Sequence, residues 1–201
     1  MAETIKKGTE LATIDVAMVT VSTYAEPEKI LALTTANQIQ VTVGTETTDK
    51  IALIVKGVLI AQKPQETTVT GNTIVLTDNV FIPELVKILQ GGTIEYAEDG
   101  ITFKKYTPPV AGSSEKGEPF LLKAYSAIYG ADALIKGYEC ITYPNCQGVP
   151  VAFNSQDGTF RAPEYTINSA PANGQAPYDI ERVAALPVVA NTQSTASTTT
   201  P

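Results

Sequence analysis

Apolar and polar residues alternate along much of this chain with the period of two that is typical of β-strands. Ile39, Val41 and Val43 alternate with Gln40 and Thr42, which places one face of a strand on a core and the other in water. We therefore predict a strand over residues 38–43. Further β-compatible segments, separated by Gly, Pro, Asn or Asp, are Phe120–Tyr129, Ile135–Tyr143, Val149–Phe153, Tyr165–Ser169 and Tyr178–Val183.

Two segments predict more specific β-structure. Lys50–Ala61 is too continuously apolar for alternation and contains Gly57 near its middle. It predicts a strand that is buried on both faces and carries a bulge, with a buried helix as the weaker alternative. Thr67–Leu76 has two β-branched runs on either side of Gly71-Asn72, which predicts a hairpin with a two-residue turn.

One helix is predicted against this β-rich background. Thr77-Asp78-Asn79 offers side chains for an N-terminal cap, and Pro83 suits a first helical turn. The four apolar residues that follow at helical spacing are Leu85, Val86, Ile88 and Leu89, and Gly91-Gly92 ends the segment. A helix of about two turns is not stable alone, so we expect it to dock on a sheet.

A second hairpin is predicted after the helix. Ile94 and Tyr96 precede, and Ile101 and Phe103 follow, the acidic turn Glu98-Asp99-Gly100. The next segment, Thr107–Pro119, contains three prolines, two glycines and two serines and predicts an exposed loop.

These elements predict a mostly β protein, a β-sandwich or barrel of antiparallel strands with one short flanking α-helix. We expect a single β domain over residues 1–189, with an N-terminal arm. Residues 190–201 are rich in Thr and Ser without periodicity, which predicts a flexible tail.

Composition excludes several function classes. The 201 residues carry 14 Lys and Arg against 21 Asp and Glu, a net charge of −7, which disfavours proteins that grip nucleic-acid phosphates. The chain has no His, which removes histidine-based triads, general bases and metal sites. No nucleophile or phosphate-loop motif is present, so we predict no enzyme, catalytic residue, metal or cofactor.

The two cysteines and the N-terminus indicate a protein that folds in a cytoplasm. Met1–Gly8 has a basic pair with no apolar run behind it, so we predict no signal peptide, and no apolar run is long enough to span a membrane. Cys140 and Cys146 do not have the C-x-x-C spacing of a thiol-redox motif. We expect them to be buried as small apolar side chains.

The acidic hairpin is the one candidate site. Glu95, Glu98 and Asp99 suggest a cation site or an acid–base pair, but they lack the ordered spacing of a calcium loop. A solvated hairpin tip needs polar residues in any case. We expect the solvated tip.

Two stretches resemble the major tail proteins, or tail tube proteins, of tailed phages. LTDNVFIPELVKILQGG (76–92) is similar to their strand-to-helix stretch, and FRAPEYTI (160–167), GQAPYDIERV (174–183) and Leu186-Pro187 are similar to their closing strands. With Lys50–Ala61, the likeness covers about two-thirds of the chain and excludes the Thr-rich tail.

The resemblance implies a structural virion protein. Such proteins form hexameric rings that stack into a tube through which genomic DNA passes without specific binding. The resemblance also implies that the tape measure, tail terminator and distal tail proteins are partners. It implies assembly in the host bacterial cytoplasm and a location in the virion tail. Glu95, Glu98 and Asp99 then become candidates for an acidic surface that faces the lumen or the next ring.

Two alternatives remain open at the level of sequence. The first is the inner tube of a contractile tail or of a tailocin-like injection machine. The second is a β-sandwich adhesion or carbohydrate-binding module, although the chain has no Trp.

Overall fold

The computed structural model describes residues 11–189. The N-terminal arm as far as residue 10 and the tail predicted over residues 190–201 lie outside the described residues. Within them the strands are β1 (Thr13–Thr23), β2 (Ile30–Leu33), β3 (Ala36–Thr47), β4 (Ile51–Val55), β5 (Val58–Lys63), β6 (Thr67–Asp78), β7 (Thr93–Tyr96), β8 (Phe103–Thr107), β9 (Phe120–Tyr129), β10 (Ile135–Gly148), β11 (Glu164–Ser169) and β12 (Asp179–Val183), and the helix is α1 (Pro83–Gln90).

One large antiparallel sheet organises the chain. Its strand order is β2-β1-β9-β10-β11-β6-β3, and β12 pairs with the part of β10 that β11 does not reach. The first and last strands of this order, β2 and β3, are joined by only two residues, Thr34 and Thr35. The two ends of the sheet therefore lie side by side, and the sheet folds back on itself. The prediction of a mostly β, antiparallel, sandwich-like fold is confirmed.

The main core lies inside the folded sheet and is closed by α1. Strand residues such as Val19, Leu76 and Phe120 pack there with the apolar stripe of the helix, whose four members are buried. The helix thus docks as predicted. Gly148 lies against it so closely that a Cβ would come within 2.5 Å of the Leu89 Cα, which explains why a glycine stands there.

The predicted helix cap is wrong. The residue before the first helical turn is Ile82, and it makes no capping hydrogen bond with its side chain. Asp78 instead accepts a hydrogen bond from the Val80 backbone N–H, and Asn79 donates to the Thr35 carbonyl. These side chains fix the connection between strand and helix. Gly91 ends the helix in the left-handed region, at φ 82°, as expected.

The opposite face of the sheet carries a second, smaller core. Met18, Tyr125 and Cys140 face one another across β1, β9 and β10, and Leu186 and Val189 cover them. Both cysteines are free and fully buried, as the sequence predicts. Burial raises the pKa of the Cys146 thiol to about 12 and also raises that of Cys140. Neither thiol is therefore a nucleophile at neutral pH.

The buried thiol of Cys146 and the buried hydroxyl of Tyr165 predict that the protein becomes less stable at alkaline pH. Burial raises the pKa of Cys146 from 9.0 and of Tyr165 from 10.0, each to about 12. The folded state therefore keeps protons that the unfolded state loses. The contribution of these two groups to the free energy of unfolding is fully present below pH 9 and is lost between about pH 9 and 12. Urea unfolding from pH 7 to 11 should show the decline, and Cys146→Ala should reduce its slope. A midpoint that is constant to pH 11 would contradict the prediction.

One predicted strand is not formed, and two strands are present that the sequence pattern does not predict. Val149–Phe153 is not a strand, because the Val151 N–H donates to the side chain of Gln90 instead of to a neighbouring strand. No strand is assigned from the sequence before residue 38, and β1 and β2 both belong to the large sheet. In β1 a register shift between Ile14 and Met18 interrupts the alternation. Two polar residues, Thr20 and Thr23, also occupy buried positions, so the sequence does not show a continuous apolar face.

The predicted turn at Gly71-Asn72 is also wrong. Both residues lie inside β6, where Gly71 pairs with Gly44 and Asn72 with Val43 of β3. A Cβ on Gly71 would collide with the Ser169 carbonyl oxygen of β11. The glycine is required for a close approach of two backbones, because β11 ends against β6 at this point.

Candidate assembly surface

A two-stranded ribbon leaves the large sheet at the end of β3 and β6. Strand β11, which pairs with the other edge of β6, ends opposite Asn72. Strands β3 and β6 continue to pair as far as Thr47 and Thr67. The hairpin β4–β5 extends the ribbon further. Every residue from 45 to 70 is exposed, and we call this segment the arm. About eleven extended residues per strand give it a length of about 35 Å.

The half of the arm next to the sheet is polar. The Thr47 and Thr67 hydroxyls are 3.2 Å apart across the ribbon, and the Thr68 hydroxyl donates to the Glu46 carbonyl. At the junction of the two hairpin sections, Thr48 donates its N–H to the Glu66 carbonyl at 2.9 Å. These bonds connect the two strands, so this half of the arm suits contact with water.

The distal half, residues 51–61, is apolar on both faces, and we call it the arm tip. Leu53 opposes Ala61 on one face, and Ile54 opposes Leu59 on the other. Seven large apolar side chains of the tip are between 47% and 65% exposed: Ile51, Leu53, Ile54, Val55, Val58, Leu59 and Ile60.

The tip corrects the prediction for Lys50–Ala61. The segment is two strands instead of one, and its residues are exposed instead of buried. Gly57 is not a bulge: Lys56 and Gly57, at φ 49° and 83°, form the two-residue turn between the strands, as expected for a type I′ hairpin. The irregularity lies between Leu53 and Ile54. A strand that is apolar on both faces has the same sequence pattern whether its own subunit or another molecule covers it.

The arm tip has the physical character of an unfilled interface. A two-stranded ribbon is marginally stable in water without further packing. Because the tip side chains are about half exposed, covering the remainder of each stabilises a contact by about 1–2 kcal/mol. Contiguous apolar surfaces of this kind mark sites of protein–protein interaction. The arm also presents unpaired backbone groups along both of its edges, which another strand can pair with.

The acidic hairpin forms as predicted, from β7 and β8. Asp99 is a structural turn residue: one of its carboxylate oxygens accepts the N–H groups of Ile101 and Thr102, each at 2.9 Å. The hydroxyl of Thr102 and these N–H groups lower the pKa of Asp99. Glu95 lies across from Lys105 in the ladder, and Glu98 is exposed at the turn.

This geometry separates the three candidate acids. Asp99 is committed to the turn, whereas Glu95 and Glu98 have exposed carboxylates that another molecule can reach. In residues 11–189 no three potential metal-binding side chains of His, Cys, Asp or Glu come together. The described part of the chain also contains no helix with the length and hydrophobicity needed to cross a bilayer.

Comparison with known proteins gives no assignment. No protein-family model matches this chain, and no curated protein matches it either. The arm, the acidic hairpin and the charge of the chain are the features that bear on its function.

Proposed function

We propose that this protein is a structural virion protein that assembles into stacked hexameric rings and forms the tail tube of a tailed phage. The observation that carries the proposal is the arm tip, which exposes large apolar side chains on both faces of a ribbon. Nothing in the described part of its own subunit covers this surface. A second copy of the chain is the partner that is always present when such a protein accumulates.

We propose further that the arm of one copy contacts a surface of its neighbour that is not itself an arm, which would make the contact head-to-tail. Head-to-tail contacts give a ring when the rotation closes, and a filament when it does not. Stacked rings combine both outcomes and produce a hollow tube.

The charge of the chain agrees with a conduit for DNA. The net charge is −7, and fixed cations along a lumen would hold a translocating duplex through many phosphate contacts. Glu95 and Glu98 are our candidates for acids that line the lumen or face the next ring, with Asp99 as the residue that shapes their turn. In this function the tape measure, tail terminator and distal tail proteins are the further partners.

Electron microscopy of the purified protein tests the proposal. We expect rings or tubes in negative stain, and a sedimentation coefficient that rises with protein concentration. Monomers at every concentration would contradict the proposal and favour an adhesion or carbohydrate-binding module. Tubes that bind a contractile sheath protein would assign the protein to the inner tube of a contractile tail or tailocin-like machine.

A further inference from the structure

The Arg161 guanidinium lies over two aromatic rings on the surface of the subunit. Its guanidinium carbon is 5.1 Å from the ring centre of Phe81 and 5.3 Å from that of Phe153. The two rings contact each other edge to face at 5.7 Å. Cation–π attraction to two rings restricts the conformational freedom of the guanidinium before it meets any partner.

In this position over the rings, the Arg161 guanidinium leaves its hydrogen-bond donors unused. Within residues 11–189 none of the hydrogen bonds or ion pairs involves its guanidinium. The other arginine of the chain, Arg182, is different, because it donates to the Lys136 carbonyl at 3.0 Å. Arg161 therefore presents a charged fork of N–H groups, which matches a carboxylate in geometry and charge.

The surroundings of Arg161 suit a protein partner. It borders a cleft of about 230 Å³ that is also lined by Pro150, Asn154 and Glu164. The neighbouring Phe160 is fully exposed, at 102% of its reference surface. Arg and aromatic residues are enriched at protein interfaces. A single arginine beside Glu164, in a chain with a charge of −7, does not suit a nucleic acid.

We propose that Arg161 binds a carboxylate of a second copy of this chain, at a contact separate from the arm tip. The inference rests on the proposed self-assembly. It is argued from charge complementarity: each copy brings 21 acidic residues, and the three ion pairs of the described residues, Lys29–Glu118, Lys63–Glu66 and Lys136–Asp132, occupy few of them. Copies with this charge repel one another, and a preorganised guanidinium at the contact offsets the repulsion.

Sedimentation velocity at a series of protein concentrations tests this contact. Arg161→Gln removes the charge and keeps a polar side chain, and we expect it to raise the concentration required for assembly about tenfold or more. Arg161→Lys keeps the charge without the planar fork and should recover only part of the loss. Arg182→Gln is the matched control, and it should assemble like the wild-type protein.

Salt dependence gives a second readout that a folding defect does not imitate. Salt screens the repulsion between copies in both proteins, but it screens the Arg161 ion pair only in the wild-type protein, so raising the salt should narrow the difference in assembly between the wild-type protein and Arg161→Gln. If the wild-type protein assembles and Arg161→Gln assembles equally well, the contact is wrong while the proposed function stands. If the wild-type protein does not assemble at all, both are wrong.

Discussion

Replacing Ile54 by glutamate and Leu59 by lysine in one variant should strongly weaken self-assembly without changing the stability of the subunit. The two residues face each other across the ribbon of the arm tip and are 62% and 52% exposed. Covering the exposed half of two such side chains contributes about 2–3 kcal/mol. We therefore expect the concentration required for assembly to rise about thirtyfold or more.

The design of this variant preserves the hairpin. Opposite charges directly across an antiparallel pair stabilise it, so the glutamate and the lysine keep the two strands paired and remove only apolar surface. The melting temperature of the unassembled subunit should stay within about 2 °C of the wild-type value, because exposed substitutions change stability by less than about 0.5 kcal/mol.

A matched control places the same charges at the base of the arm. Thr47→Glu with Thr67→Lys changes another cross-strand pair, in the polar half of the ribbon. This variant should assemble like the wild-type protein in negative stain and in sedimentation velocity. If the tip variant also assembles normally, the arm tip is not the interface, and the observation that carries the proposed function is lost.

Gly71→Ala should destabilise the fold by about 3 kcal/mol or more, although alanine is usually favourable in place of glycine within a strand. The new Cβ would collide with the Ser169 carbonyl oxygen, and a backbone atom cannot move aside without breaking the pairing of β6 with β11. We expect the melting temperature to fall by about 6–12 °C. Gly71→Val, with two further methyl groups, should lower it more.

Gly44 supplies the control, because it pairs with Gly71 in the same ladder. A Cβ there would be 3.2 Å from the Thr70 hydroxyl, which belongs to an exposed side chain that can rotate. Gly44→Ala should therefore change the melting temperature far less. Asn72→Gly should have an intermediate effect, since it removes the hydrogen bond from the Asn72 side chain to the Pro177 carbonyl. Equal melting of the Gly71 and Gly44 variants would contradict the close approach.

Local signals in the sequence were sufficient for several elements. The helix at 83–90 was predictable because proline, an apolar stripe and a glycine pair all lie within a short segment. The β7–β8 hairpin was predictable because a turn sequence separates two short apolar pairs. The burial of Cys140 and Cys146 followed from their apolar character and spacing. Each of these predictions depends on neighbours in the chain.

The sequence by itself therefore determined the β-rich class, the position of the helix and the acidic hairpin, since short-range patterns encode them. Only the tertiary structure decided what covers each apolar residue. The alternation of β1 is interrupted by a register shift, Gly71 is explained by the distant strand β11, and residues 51–61 are exposed although their pattern is that of a buried strand. Burial is a relation between distant segments or between molecules, so the same apolar run can form the core of one subunit or the surface at which two subunits meet.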